Sequence, residues 1–220
     1  MRKDLIIKQR ILGEMSNSLS SLNFIDFLMK HSRVLVFGGA VREAYSSLSN
    51  NSPRDFDLVL VNYKGDLYND LVYSGHDVTR NKFGGIKLKI DENSFDVWKI
   101  EDTWAFKNDY VQYRRIEDLY KTVYLNIDGI FYDLNNELIY SDGYDEAIKT
   151  KKLDIVLQEN PQLMLNIMRA FKLKEEYNLS FSESLKNVID FQEFQMGKHN
   201  FYCKIDKLFR KRYKRNTVLT

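Results

Sequence analysis

Three aspartates and a pair of glycines are the residues best suited to chemistry in this 220-residue chain. Asp55 and Asp57 stand two positions apart in Arg54-Asp55-Phe56-Asp57-Leu58-Val59-Leu60-Val61, a stretch of β-formers that reads as a central strand. Side chains alternate faces along a strand, so both carboxylates point the same way. Asp96 lies between Phe95 and Val97 on a second expected strand. Carboxylates gathered on one face repel each other strongly at short range, and a protein tolerates that where cations occupy the site. Oxygen-only ligands suit Mg²⁺ (or Mn²⁺), which keeps waters and shares substrate phosphates. Two such ions roughly 3.5–4 Å apart stabilise the attacking and leaving oxygens of an in-line phosphoryl displacement. Gly38-Gly39 supplies the complementary part. It ends the apolar run Val34-Leu35-Val36-Phe37 and opens a helical stretch, so backbone N–H groups at a helix N-terminus can approach a phosphate closely. Arg42, one turn further on, has two readings: a contact to a triphosphate, or an ion pair with a nearby carboxylate.

The elements that must position these groups are legible from periodicity. Leu5, Ile6, Ile11 and Leu12, then Leu19, Leu22, Phe24, Ile25 and Leu28, recur at helical spacing over the first 30 or so residues. Val34–Phe37 reads as a strand, Ala40 to about Leu48 as a helix, and Asn50-Asn51-Ser52-Pro53 as a turn. Leu67–Tyr73 reads as a helix. Ile86–Ile90, which alternates, and Ser94–Trp98 read as strands joined by a turn at Asp91-Glu92-Asn93. Ile130–Asp133 and Leu138–Tyr140 form a small hairpin. Beyond Ser141-Asp142-Gly143 the pattern turns helical, with Pro161 at a first helical turn. Leu163, Met164, Ile167, Ala170 and Phe171 mark one helical face; Leu185, Val188, Ile189 and Phe191 mark another. Phe201–Tyr213 is a basic amphipathic helix. The fold class is therefore α+β, a head over residues 1–150 followed by an all-helical segment over 151–220.

Composition removes several classes. Hydrophobic residues at 44% and charged residues at 29% exclude a disordered chain, and 2 Pro with 10 Gly leave no Pro- or Gly-rich linker. The single Cys203, expected to be buried or half-buried, excludes an intramolecular disulfide and a cysteine-based zinc site and fits a reducing, cytoplasmic setting. No apolar run nears the ~20 residues that span a bilayer, so no membrane partner is expected. His31, His76 and His199 lack ligand spacing, Gly84-Gly85 reads as a turn, and Trp98 and Trp104 read as packing residues. A net charge of +2 says nothing of partners, but its distribution does. Lys198, Lys204, Lys207, Arg210, Lys211, Arg212, Lys214 and Arg215 are opposed only by Asp206, with Phe209 and Tyr213 interleaved. That pattern suits an RNA backbone, with Lys207, Arg210, Lys211 and Lys214 as its contacts.

Val36-Phe37-Gly38-Gly39-Ala40-Val41-Arg42-Glu43, followed by Arg54-Asp55-Phe56-Asp57-Leu58, resembles the opening motif of the class II tRNA nucleotidyltransferases and bacterial poly(A) polymerases, within the DNA polymerase β nucleotidyltransferase superfamily. Leu125-Asn126-Ile127-Asp128-Gly129-Ile130-Phe131-Tyr132-Asp133 through Ser141-Asp142-Gly143 resembles the family's second motif and its hairpin. Glu159-Asn160-Pro161-Gln162-Leu163-Met164-Leu165 and Arg169 resemble the neck helix that follows. The likeness covers roughly residues 33–190. It implies a polymerase β-like head and a helical neck, with Asp55, Asp57 and Asp96 holding the metals. It further implies that Gly38, Gly39, Arg42, Asn126, Glu159, Asn160 and Arg169 lie around the nucleotide. The implied reaction moves an NMP from an NTP to a hydroxyl, with RNA, such as a tRNA 3′ end, as the favoured acceptor; a protein or small-molecule acceptor and a non-catalytic binding module are the alternatives. Two departures stand out. The family's Arg-Arg-Asp is replaced by Tyr120-Lys121-Thr122, and its base-reading arginine by Leu163, which lacks the five-donor fork of a guanidinium. Templated C-then-A addition is therefore not expected.

Overall fold

The computed structural model of the protein describes residues 3–15, 18–46 and 53–214. Asn50–Ser52 of the expected turn, Ser47 and Leu48 of the expected helix, and Arg215 of the basic tail lie outside the described residues. The chain divides into two compact units, Met1–Thr122 with Asp128–Asp142, and Val123–Ile127 with Gly143–Thr220.

The first unit is built on a mixed sheet. Its elements are α1 (Lys3–Met15), α2 (Leu19–His31), β1 (Arg33–Phe37), α3 (Gly39–Tyr45), β2 (Phe56–Val61), α4 (Leu67–Tyr73), β3 (Val78–Arg80), β4 (Ile86–Ile90), β5 (Asn93–Lys99), α5 (Trp104–Lys107), β6 (Phe131–Asp133) and β7 (Leu138–Tyr140). Among the described residues the sheet has seven strands in the order β3-β4-β5-β2-β1-β6-β7. Every neighbouring pair is antiparallel except β2 and β5, which run parallel. The expected α+β architecture with a mostly antiparallel sheet is what the chain adopts.

Alternation sets the two faces. In β4, Ile86, Leu88 and Ile90 are buried while Lys87 and Lys89 are exposed. Phe56 and Phe95, stacked at 5.6 Å, mark the inward face, and Phe24 of α2 packs on Phe95 at 5.1 Å. Ser18 starts α2 by accepting from the Ser21 N–H, which satisfies one orphan donor of the helix. On the opposite face, Leu35, Val59, Val61 and Phe131 form a core with Ile100, Phe106 and Leu119. The segment after β5 therefore covers that face of the sheet. It leaves Asp57 and Asp96 half-buried on strands otherwise rich in buried positions. Asp55 precedes β2 rather than lying within it.

The second unit holds α6 (Asp142–Thr150), β8 (Lys152–Leu153), α7 (Leu163–Glu176), β9 (Ser180–Phe181), α8 (Glu183–Met196) and α9 (Lys198–Tyr213). The region is not wholly helical, because β8 and β9 form a short parallel pair. Pro161 falls in a turn just before the Gln162 cap of α7 and not inside the helix. Asn160 shapes that turn, its side-chain oxygen accepting from the Gln162 N–H at 2.9 Å. Cys203 is exposed on α9, its Sγ 3.6 Å from His199 Nε2. Its helical phase puts it away from the buried Phe201 and Ile205, which is why the expectation of a buried thiol fails. No described helix is long and apolar enough to cross a membrane.

Candidate functional site

Strand register brings the acids together. Phe37 of β1 pairs with Asp57 of β2, Asp57 with Asp96 of β5, and Asp96 with Lys87 of β4. Register partners share a face, so Phe37, Asp57, Asp96 and Lys87 form one row across the sheet. Adjacent strands lie about 4.8 Å apart, so Asp57 and Asp96 are immediate neighbours. Asp55, two residues before Asp57, lies near enough to Asp96 for its charge to act there.

Local charge reflects that crowding. Burial, above all, pushes the Asp96 carboxyl above the usual carboxylate range. Lys87 Nζ, 3.4 Å from Oδ2, and the Asn81 amide, donating to Oδ1 at 2.8 Å, act the other way, while the Asp55 charge adds to the rise. Arg54 pairs with Asp55. The acids thus carry protein cations and donors as counter-charges. Asn81 is itself fixed by a tight turn, accepting from the N–H groups of Phe83 and Gly85 at 2.8 and 3.1 Å. A Cβ on Gly85 would lie 2.8 Å from Asn81 Nδ2 and 3.1 Å from Asp96 Oδ1, so any side chain there would have to push the Asn81 amide away from this carboxylate. Gly84-Gly85 is therefore a turn that sets Asn81.

The glycine pair sits at the end of the same row. Gly38 follows Phe37 with φ +66° and ψ −122°, a conformation that favours glycine. Its N–H donates to Ile130 O at 2.9 Å, its carbonyl accepts from Arg42 N at 2.9 Å, and no side chain caps α3 there. A Cβ on Gly38 would come 4.0 Å from Asp57 Oδ2, which puts the backbone turn next to the carboxylates. Arg42 takes the second of its two readings. It is buried and ion-paired with buried Asp128, and its Nη2 lies 3.9 Å from where a Gly39 Cβ would be. It braces the turn from behind.

Among the described residues no three carboxylate, imidazole or thiol side chains stand close enough to hold one ion by themselves. Mg²⁺ ordinarily takes one or two carboxylates and fills its octahedron with water and substrate phosphate oxygens. An in-register pair of aspartates beside a glycine turn meets that requirement, and its oxygen-only donors match a hard cation.

In the second unit, Asn126 is buried and knits that unit together. Its Nδ2 donates to Lys152 O at 3.1 Å, and its Oδ1 accepts from the N–H groups of Ile127 and Asp154 at 2.9 and 3.0 Å. Glu159 is exposed, Asn160 half-buried, and Arg169 donates to Asn166 Oδ1 at 3.4 Å. Lys207, Arg210, Lys211 and Lys214 are exposed at i, i+3, i+4 and i+7, hence on one face of α9 and its cap. Arg210 also pairs with Asp206 at 2.8 Å. Lys87, Asn81 and Asp128 are contacts that periodicity alone did not single out. Alternation within β4 places Lys87 on the outward face, but only the pairing with β5 reveals its neighbour.

The fold is that of the nucleotidyltransferases that process tRNA. A CCA-adding enzyme in complex with ATP matches over 91% of this chain and 49% of its own, at TM-score 0.58 and 16% identity. The Bacillus stearothermophilus CCA-adding enzyme with CTP matches over 86% and 48%, at TM-score 0.59 and 17% identity. A tRNA nucleotidyltransferase complexed with a primer tRNA and an incoming ATP analogue matches over 88% and 60%, at TM-score 0.54 and 18% identity. The chain thus spans about half the length of the solved structures it resembles. No family model and no curated protein matches it.

Proposed function

We propose that the protein is a metal-dependent nucleotidyltransferase that moves an NMP from an NTP to a hydroxyl of RNA. The observation that carries the reading is the in-register pair Asp57 and Asp96 beside the Gly38 turn. In the reaction the acceptor oxygen bonds to the α-phosphorus, the α–β phosphoanhydride bond breaks, pyrophosphate leaves, and the hydroxyl proton is lost. Asp55, Asp57 and Asp96 would hold Mg²⁺ or Mn²⁺, which supplies charge neutralisation for the phosphates and a more acidic acceptor hydroxyl. Gly38, its own N–H held by Ile130 O, turns the chain so that the phosphates can approach Gly39 and the N-terminus of α3, and Arg42 holds that cradle in shape. Arg54 and Lys87 lend cations at the rim. Asn126, Glu159, Asn160 and Arg169 are the further candidate contacts of the nucleotide. Lys207, Arg210, Lys211 and Lys214 contact the RNA backbone. The solved relatives, crystallised with ATP, CTP or a primer tRNA, support this choice of substrates. Residues 1–150 are the catalytic head and 151–220 the neck. A lone cysteine suits the cytoplasm.

The pairing of Asp55 with Arg54 and of Asp96 with Lys87 favours a second reading, a nucleotide-binding module that uses protein cations and no metal. Thermal unfolding separates the two. At a ligand concentration near 100 Kd, binding adds about 2.7 kcal/mol. For a transferase most of the gain from ATP requires Mg²⁺ and vanishes in Asp57→Asn. An ATP-induced shift that is equally large in EDTA overturns the metal-dependent reading.

A further inference from the structure

The covering segment after β5 carries an outward aromatic and guanidinium surface that the catalytic row does not use. Tyr110 and Tyr113 are 48% and 39% exposed, large values for rings that are nevertheless held in place. Tyr110 stacks on Trp104 at 4.9 Å with 25° between planes, and Tyr113 leans on Phe106 at 5.2 Å. The backbone between them is pinned at both ends. The N–H groups of Tyr110 and Val111 donate to Ala105 O at 3.0 and 3.2 Å. Those of Arg114 and Arg115 donate to Oδ2 of buried Asp118 at 3.0 and 3.1 Å. Val111 and Ile116 pack into the core beneath. The result is a rigid loop with two tyrosines and two arginines facing water.

Its outward arginines offer charge to an anionic, ring-bearing occupant. Asp118 is neutralised by Lys121 at 2.7 Å, and Lys107 answers Asp102 at 3.3 Å. Arg115, with a side chain 72% exposed, has Glu117 only at 4.0 Å, and Arg114 donates to Gln112 at 2.8 Å. Asp109 is a further acid of the loop, and Glu101, just after β5, lies near enough to Tyr113 for its charge to act there. Trp98 joins the same core two residues along β5 from Asp96, about 7 Å away on the same face of the sheet. Exposed rings that keep a fixed orientation, followed directly by guanidinium groups, suit unpaired bases and their phosphates.

We propose that Tyr110, Tyr113, Arg114 and Arg115 form a stacking platform for the unpaired end of a single-stranded RNA acceptor. The inference rests on the transferase reading above and specifies where its acceptor strand lies. The bases stack on the tyrosines, and the arginines meet the phosphates between them.

The test is fluorescence anisotropy with a fluorescein-labelled single-stranded oligoribonucleotide of about a dozen nucleotides and the full chain. Wild type is compared with Tyr110→Ala/Tyr113→Ala and with Arg114→Gln/Arg115→Gln, each retaining the wild-type thermal midpoint. The tyrosine pair weakens binding at least about tenfold and leaves the salt dependence unchanged. The arginine pair weakens binding and makes the log–log salt slope shallower by about 1.4, at roughly 0.7 per single-strand phosphate contact. A blunt duplex of the same sequence does not distinguish the tyrosine pair from wild type. A surface made for a protein partner leaves both variants at wild-type RNA affinity, and that result overturns the inference. ATP-induced stabilisation in Mg²⁺ tests the transferase reading separately. Its presence alongside unchanged RNA affinities removes the platform alone, whereas its absence alongside tyrosine-dependent RNA binding removes the transferase reading alone.

Discussion

The pair formed by Arg42 and Asp128 offers a quantitative check on how the glycine turn is held. Both residues are nearly inaccessible, at 6% and 5% exposure, so they fall in the buried class of ion pairs. Exposed pairs contribute about 0–1 kcal/mol, whereas removing one partner of a buried pair costs about 3–5 kcal/mol because the other charge is stranded. Arg42→Met removes the guanidinium from a buried carboxylate, and Asp128→Asn removes that carboxylate from a buried guanidinium that also has Glu43 at 3.7 Å. Each single substitution is expected to cost about 3 kcal/mol or more. The double variant costs clearly less than the sum, with a coupling of about 1–3 kcal/mol. Urea unfolding followed by tryptophan fluorescence suits the experiment, because Trp98 and Trp104 both lie in the unit that contains the pair. Lys107→Ala, which breaks an exposed pair with Asp102, is the control and shifts stability by under about 1 kcal/mol. Single variants that lose less than about 1 kcal/mol, or a double variant that loses the full sum, refute the claim that this pair braces the turn.

Two further outcomes follow from the same geometry. Asp118 is held down to about 2, chiefly by Lys121 and then by the Arg114 and Arg115 N–H groups, against its burial. A carboxyl depressed in the folded state adds stability above the ordinary carboxylate range, and that stability is lost as pH falls toward 2. Thermal melts should therefore show Asp118→Asn less stable than wild type at pH 7, with the gap closing between about pH 4 and pH 2; a constant gap would contradict this assignment. Gly85→Ala places a methyl against Asn81 and Asp96 and so displaces their hydrogen bond. Isothermal titration with ATP and Mg²⁺ should show affinity reduced at least about tenfold, a loss near 1.4 kcal/mol, with the melting temperature changed little; unaltered affinity would remove Asn81 from the site.

How far the site could be read from residues alone depended on the range of the contacts involved. Asp57 and the glycine pair belong to short stretches whose strand and turn patterns are local, whereas Asp55 lies just before β2, where strand alternation does not fix its side. Asp96 needed a second strand, which Phe95 and Val97 marked, but its place beside Asp57 comes from the parallel pairing of β2 and β5. Nothing local reveals a parallel neighbour. The partner of Arg42 is 86 positions away, beyond the reach of any periodicity. Strands β3, β8 and β9 escaped because two or three residues carry no usable alternation. Pro161 fell outside α7 because Asn160 starts the turn one step earlier. The tyrosine and arginine loop was invisible for a different reason. Its residues look like ordinary solvated surface until Asp118, Val111 and Ile116 are seen to hold them still.

Catalysis by the aspartate row is tested most directly by transfer of label. The protein is incubated with Mg²⁺, ATP labelled at the α-phosphate and a single-stranded RNA with a free 3′ hydroxyl, beside Asp55→Ala/Asp57→Ala that retains the wild-type fold. The account predicts label in the wild-type RNA with equimolar pyrophosphate, none in the double variant, and none for wild type in EDTA. Equal labelling by wild type and double variant would contradict it.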